Sequence, residues 1–277
     1  MDSNKPGPKP TSNVFGFIDE IGLLNTPKSD QLFGLGMLKL EHPSFLHREI
    51  ITYKNKFDYH TEFKFTDISP HNLIHYKNLL NIYFSLTNTY LSCLLIDKRK
   101  LDIKTYFKND YQKAYNSFLA KMVASSLDTS EYIVLLADDI CTPKTDTFES
   151  EIKAKVKKRT RRSALFGICR LDSSAVSEIQ MVDVLLGIIA YAFKIKHGLI
   201  KPKRTNPKFK LLKHLQKHIN TDFLAESNEF KLRYGRTVTI EEYKGKLTKN
   251  ADSAVSNSAN NGRPTPSVRK QSIAKRA

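Results

Sequence analysis

The sequence lacks the features that mark several large classes of protein. No apolar run of about 18 residues occurs in the 277-residue chain, which predicts that it does not span a membrane. The opening residues, MDSNKPGPKPTSN, contain no apolar signal-peptide core, so we expect a cytoplasmic protein. The three cysteines, Cys93, Cys141 and Cys169, form no C-x-x-C pair, which indicates reduced, structural thiols and not a zinc or redox site.

Several catalytic motifs are absent as well. The sequence has no G-x-S-x-G nucleophile elbow. The stretch FGLG, residues 33–36, lacks the Lys-Ser pair and the following helix of a phosphate-binding loop. His71 and His75 have a zinc-compatible spacing on a predicted helix but no third ligand, which favours a surface pair.

Positive charge is abundant. The chain has 45 Lys and Arg against 28 Asp and Glu, a formal net charge of +17, which favours a polyanionic partner, either nucleic acid or an anionic membrane surface. KAKVKKRTRR, residues 153–162, is the densest basic run, and residues 194–217 contain no acid. A solvated helix face explains the first run equally well. We expect nucleic acid, DNA or RNA, and its candidate contacts are Lys157, Lys158, Arg159, Arg161 and Arg162.

The pattern of apolar residues predicts one α/β domain. Residues 1–13 and about 250–277 have the composition of disordered segments. Residues 14–249 alternate between strand-like and helix-like segments, with a basic C-terminal extension from about residue 197. The first two strands, VFGFIDEIG and QLFGLGMLKL, are expected to pair antiparallel, and EIITYKN is either a third strand or an irregular connection. A helix is predicted from Ser69 and Pro70, and the later strands are expected to be parallel.

Acidic residues interrupt or end the apolar strands. Asp19, Asp97 and Asp138 would meet at one edge of a sheet whose strands are parallel, where α/β proteins bind ligands. Asp183 lies on the apolar stripe of the last long helix, beside Gln180 and Gly187, and this glycine would let the helix approach the sheet. Several carboxylates at one edge need compensation, which a divalent cation such as Mg²⁺ supplies.

Each acid also has a structural explanation. Asp97 precedes Lys98 and Arg99 and can pair with either, while Asp138 and Asp139 can form an Asx turn before CTP. Glu20 is expected to point away from Asp19, because neighbouring strand residues face opposite sides of a sheet.

Five segments, in order, resemble the widespread bacterial family known as domain of unknown function 3800, whose fold is similar to that of ribonuclease H. They are FIDEIG, HTEFKFTDIS followed by HYKNLL, CLLIDK, IVLLADD and IQMVDVLLG, which together span about residues 14–195. The first is similar to the family's Asp-Glu-Ser-Gly, with Ile21 in place of Ser, and the last to its Gln-x-x-Asp-x-x-x-Gly helix.

This resemblance implies a site and an activity. Ribonuclease-H-like enzymes hold two divalent ions, Mg²⁺ or Mn²⁺, about 3.5–4 Å apart between carboxylates. The implied ligands are Asp19, Glu62, Asp183 and either Asp138 or Asp97. Lys64, two residues after Glu62 and therefore on the same face of a strand, would pair with it or contact phosphate. The expected function is a metal-dependent nuclease in a mobile-element or defence setting; the alternative is a non-catalytic nucleic-acid-binding or partner-binding module with structural or vestigial acids.

Overall fold

Seven strands form one mixed sheet in the computed structural model, which describes residues 11–25, 31–138, 147–222 and 224–243. The strands are β1 (Ser12–Ile21), β2 (Leu32–Leu40), β3 (Tyr90–Asp97), β4 (Glu131–Asp138), β5 (Leu165–Leu171), β6 (Asn228–Lys231) and β7 (Thr237–Glu242). The helices are α1 (Pro43–Lys56), α2 (Leu73–Ser85), α3 (Ile103–Phe107), α4 (Tyr111–Ser126), α5 (Phe148–Thr160), α6 (Ser177–Lys196) and α7 (Pro207–Ile219). Of the two segments expected to be disordered, residues 250–277 lie wholly outside these ranges and residues 1–13 almost wholly. Asp139 and Cys141 also lie outside them.

The strand order is β5-β4-β1-β2-β3-β7-β6. Strands β1, β2 and β3 form an antiparallel meander, β4 pairs parallel with β1, and β5 pairs parallel with β4. These five strands have a ribonuclease-H-like arrangement, so the predicted fold class, an α/β mixed sheet with antiparallel opening strands followed by parallel ones, is confirmed. Because β1, β3, β4 and β5 point the same way, their carboxyl ends share one edge, called here the carboxyl edge.

Helices cover both faces of the sheet. The long helix α6 crosses β1 and β2 on one face and packs with α1, α2 and α7. Helix α4 contacts β2 and β3 on the other face and packs against α5. The α6 face holds the largest apolar cluster, to which α6 contributes an almost continuous buried surface from Ile179 to Phe193. A long helix buried in this way is a rigid support for any side chain on it.

Both expectations for EIITYKN, a third strand or an irregular connection, are wrong, because the segment lies within helix α1. Pro43 occupies the first turn of α1, where its missing N–H costs nothing, and Leu46 and Ile50 are buried one turn apart. The next helix begins at Leu73 and not at Pro70. Its start is delayed because the Asn72 side chain accepts a hydrogen bond from Ser69 N at 2.7 Å and holds the preceding residues in a turn.

The basic C-terminal extension is part of the fold. Helix α7 buries Leu211, Leu215 and Ile219 against α6 and α2, while β7 pairs parallel with β3 and extends the sheet. The apolar residues of α7 recur at helical spacing, but the many basic residues between them make this pattern hard to recognise in the sequence. Both described cysteines are free, Cys93 in the core and Cys169 exposed on β5. Within the described ranges, no helix is long and apolar enough to cross a membrane.

Candidate functional site

Two carboxylates lie side by side at the carboxyl edge. Ile18 on β1 pairs with Ala137 on β4, so Asp19 and Asp138 are the next residues along two parallel neighbours. Asp19 shares the face of Phe17, towards α6, while the alternation of the strand turns Glu20 to the other face. There Glu20 receives a hydrogen bond from Tyr115 of α4. Glu20 therefore points away from Asp19, as the sequence predicted.

A glycine in the sheet brings the third carboxylate to Asp19. Gly36 of β2 pairs with Asp19, and a Cβ at Gly36 would lie 2.9 Å from Val182 Cγ1 and 3.2 Å from Leu186 Cβ. The turn of α6 that carries Asp183 thus rests directly on the backbone next to Asp19. The expectation that Gly187 provides this approach is wrong, because a Cβ at Gly187 would overlap the ring of Phe65 and not the sheet.

One face of α6 holds the segment that carries Glu62. Phe65 N donates to Asp183 Oδ2 at 2.8 Å, and Phe63 N donates to Gln180 Oε1 at 3.1 Å. Gly187 makes room for the Phe65 ring one turn further along. The segment at residues 62–65 is therefore fixed to α6 at three points. Its backbone amides at Phe63 and Phe65 bind Gln180 and Asp183, and the Phe65 ring packs against Gly187. No sequence pattern reveals such backbone contacts.

Gln180 is structural in this arrangement. Its side chain is buried, and besides accepting from Phe63 N it donates to the carbonyl oxygens of Ser173 and Ser174 at 2.9 and 3.0 Å. Its hydrogen-bonding capacity is used in tying the loop after β5 and the segment before residue 65 to α6. Gln180 is a positioning residue for the neighbouring acids.

Glu62 and Lys64 form an ion pair at this site. Lys64 Nζ lies 3.0 Å from Glu62 Oε2. Residues 57–64 are not a strand, so the expected shared strand face is wrong, but the pairing that it predicted is present. The backbone of Lys64 is held by Tyr76, whose hydroxyl donates to Lys64 O at 2.8 Å. Glu62 is near enough for its charge to act on Asp183, and Lys64 is its present counter-charge.

The electrostatics of the acids reflect their burial and crowding. Burial raises the pKa of Asp19 well above its usual value, and the charges of Asp183, Asp138 and Glu20 raise it further. The pKa of Asp183 is raised to about 6, first by burial and then by Glu62 and Asp67, against the hydrogen bond from Phe65 N. Burial, with a contribution from Asp138, raises the pKa of Glu20 to about 7.

Asp97 is placed differently. It ends β3, two strands from β1, and Arg99 Nε and Nη2 donate to its two carboxylate oxygens at 2.9 and 2.7 Å. The hydrogen bonds from Arg99 hold its pKa below the usual value. Asp97 therefore has the strand-end ion pair that the sequence allowed, and Asp138 is the acid that lies beside Asp19.

The donor set suits a hard divalent cation. Carboxylate oxygens are the ligands that Mg²⁺ and Mn²⁺ prefer, and Asp19, Asp138 and Asp183 come from three different elements that meet at the carboxyl edge. In the described part of the chain, no three His, Cys, Asp or Glu side chains are arranged closely enough to hold a metal as they stand. Metal binding would therefore require side-chain rotations and the release of Glu62 from Lys64.

The predicted nucleic-acid-binding run lies away from these acids. Helix α5 leads back from the carboxyl edge, and at its end Arg162 Nη2 donates to Asp128 O at 2.6 Å and its guanidinium lies over the Tyr132 ring, both near the start of β4. Seven residue steps along β4 amount to roughly 23 Å. If Lys157, Lys158, Arg159, Arg161 and Arg162 bind nucleic acid, they do so near the opposite edge of the sheet.

Comparison with known proteins assigns the chain to no family. The chain matches no family model, and no curated protein is similar to it at a significant level. The resemblance to domain of unknown function 3800 therefore stays a prediction.

Proposed function

We propose that this protein is a divalent-metal-dependent phosphodiesterase, most specifically a nuclease. One observation carries the proposal: β1, β4 and α6 place Asp19, Asp138 and Asp183 at the same part of the carboxyl edge of a ribonuclease-H-like sheet. Crowding and burial raise the pKa of Asp19 and Asp183, which is the electrostatic situation that a bound cation relieves. The resemblance stated above supports the same activity and suggests a mobile-element or defence setting.

Four residues would hold the metal. Asp19, Asp138 and Asp183 would hold it after their side chains rotate, and Glu62 would join them after leaving Lys64. Bound there, two Mg²⁺ or Mn²⁺ ions would supply activation of a water for attack on a phosphodiester and stabilisation of the leaving oxygen. Phe65 N keeps one oxygen of Asp183 oriented, and Lys64, once released, is available to contact a phosphate oxygen.

A second candidate function is a non-catalytic module that binds nucleic acid or a protein. The Glu62–Lys64 ion pair favours it, because a lysine already supplies part of the positive charge that the acids need. In that case the acids are structural, and the partner binds elsewhere on the basic surface.

A cleavage assay separates the two candidates. Purified full-length protein is incubated with single-stranded, duplex and RNA–DNA hybrid substrates in Mg²⁺, in Mn²⁺ and in EDTA. We expect metal-dependent cleavage that Asp19→Asn and Asp183→Asn abolish. The matched control is Asp172→Asn, at an exposed acid that caps the short helix Ser173–Ala175 through Ser174 N and should leave cleavage unchanged. No cleavage of any substrate, or equal cleavage by the Asp183 variant, would refute the nuclease proposal.

A further inference from the structure

A second group of cations lies at the carboxyl edge, on the β3 side of the acids. It consists of Lys208 at the start of α7, Lys194 near the end of α6 and Arg99 just after β3, and it is called here the cationic wall. Lys208 Nζ lies 4.9 Å from the centre of the Phe65 ring, and the amide of the same Phe65 binds Asp183. One residue therefore connects the wall to the proposed metal site.

The rest of the wall lines a cavity. Arg99 and Lys194, with Gln31, His197 and the turn at residues 198–200, surround a volume of about 460 Å³. Lys194 is held there because its carbonyl accepts from Leu199 N at 2.8 Å. Arg99 is fixed by Asp97 through one edge of its guanidinium, and its side chain remains half exposed. Two of its five N–H groups bind Asp97, which leaves others for a ligand.

Arg99 is paired with Asp97, but the two lysines of the wall differ from it. Within the described residues, no carboxylate lies within 4.0 Å of the ammonium group of Lys194 or of Lys208. Neighbouring lysines differ, because Lys196 lies 3.9 Å from Glu242 and Lys213 pairs with Asp222 at 3.1 Å. Burial lowers the pKa of Lys208, and the nearby charge of Lys194 lowers it further, whereas Asp67 and Asp183 raise it. Two partly buried ammonium groups so placed fit an anionic ligand.

We propose that Lys208, Lys194 and Arg99 bind successive phosphates of one nucleic-acid strand and lead it to the acids at Asp19 and Asp183. This inference rests on the proposed function and names the route of its substrate. The acid-free segment of residues 194–217 supplies two of the three cations, and the denser run at residues 157–162 ends near the opposite edge of the sheet. A continuous strand is favoured over a free phosphate because the cations extend away from the acids on three separate elements.

The test is a binding measurement that needs no catalysis. Fluorescence anisotropy of labelled single-stranded DNA and RNA of about 20 nucleotides, longer than the ~4–16 nucleotides that one OB fold covers, is recorded in EDTA over a range of salt concentrations. The variant is Lys194→Gln with Lys208→Gln. Each phosphate contact on a single strand contributes about 0.7 to the slope of log K against log salt, so we expect the double variant to reduce the slope by about 1.4.

The matched control is Lys213→Gln with Lys217→Gln. This control removes the same amount of charge from the same acid-free segment. Lys213 is paired with Asp222 and Lys217 is exposed, so the control should reduce the slope less than the variant does. Equal slopes for the two double variants would overturn the inference, as would the absence of binding by the wild type. Displacement of the labelled strand by a mononucleotide at similar concentration would assign the wall to free phosphates and also overturn it.

This result is independent of the cleavage assay. If the double variant of Lys194 and Lys208 binds normally while the wild type cleaves, the inference about the cationic wall is wrong and the nuclease proposal stands. If the same double variant has a smaller slope of log K against log salt but no metal supports cleavage by the wild type, the nuclease proposal fails. The cationic wall then remains a nucleic-acid-binding surface. Asp183→Asn should retain or increase binding in EDTA, since it removes a negative charge near the strand.

Discussion

Replacing Asp183 with Asn tests whether this acid is strained by its neighbours or is a stabilising structural residue. The pKa of Asp183 is raised from 3.8 to about 6 in the folded protein. The folded state therefore holds a proton more tightly than the unfolded chain, and stability falls as pH rises from about 4 through 6. A difference of about 2.2 units corresponds to about 3 kcal/mol at pH 8, as an order of magnitude.

Asn removes this charge but keeps an oxygen that can accept from Phe65 N, the bond now measured at 2.8 Å. We expect Asp183→Asn to be more stable than the wild type in EDTA at pH 8. Half of the full value, about 1.5 kcal/mol, corresponds to a rise of ~3–6 °C in melting temperature for a domain of this size. At pH 4.5 the wild-type carboxyl is mostly protonated, so the two proteins should melt at nearly the same temperature.

Thermal melts of both proteins at pH 4.5 and 8, each in EDTA and in Mg²⁺, complete the test. Mg²⁺ should stabilise the wild type and have little effect on the variant, because binding to the folded state alone raises stability by mass action. The control is Asp172→Asn, since hydrogen bonds from Ser174 lower the pKa of Asp172 and its loss should lower stability at high pH or leave it unchanged. The reasoning is refuted if Asp183→Asn is strongly destabilised in EDTA at pH 8, or if Mg²⁺ stabilises both proteins equally.

Four further outcomes are expected. Gly187→Ala should cost about 1–3 kcal/mol in urea unfolding, because its Cβ overlaps Phe65; an unchanged midpoint contradicts this. Gln180→Leu should cost about 1–3 kcal/mol, because it leaves the buried Phe63 N without its acceptor, and a neutral result would show that water replaces the amide. Replacing the five cations Lys157, Lys158, Arg159, Arg161 and Arg162 with Ala should reduce the salt slope for a long strand, whereas an unchanged slope assigns them to a solvated face. Deleting residues 250–277 should leave the melting temperature nearly unchanged, since they contain few large apolar residues, and a large drop would show that they dock on the domain.

The acids were predictable where strand or helix periodicity fixed their position. Buried strands that end in Asp97 and Asp138 predict which edge the carboxylates share, and the apolar stripe of α6 predicts that Asp183 faces the sheet, where it is half-buried. Periodicity does not show which strands are neighbours, so the choice between Asp97 and Asp138 needed the sheet order β5-β4-β1-β2-β3. Arg99, two residues from Asp97, then explains why that acid is buried without a cation from solution.

Other parts of the fold and site depend on contacts that a sequence does not display. The β-branched residues of EIITYKN suggested a strand, but burial of Leu46 and Ile50 one turn apart outweighs their local preference. The segment at Glu62 is positioned by the amides of Phe63 and Phe65, which every residue except proline possesses. The role of Lys208 was hidden because its partner, the Phe65 ring, lies 143 residues earlier in the chain.

The contact between α6 and β2 explains how an apolar strand tolerates Asp19. Gly36 removes the side chain that would separate the helix from the sheet, so Asp183 approaches Asp19 while the core residues around it remain packed. The same closeness makes the two acids repel each other, and their partial burial limits how far water can relieve the repulsion. A purely structural role would be served better by a polar neutral residue at either position, because it would avoid the cost of the buried charge. Two carboxylates at this contact, beside a third on β4, form the arrangement whose repulsion the proposed cation would relieve.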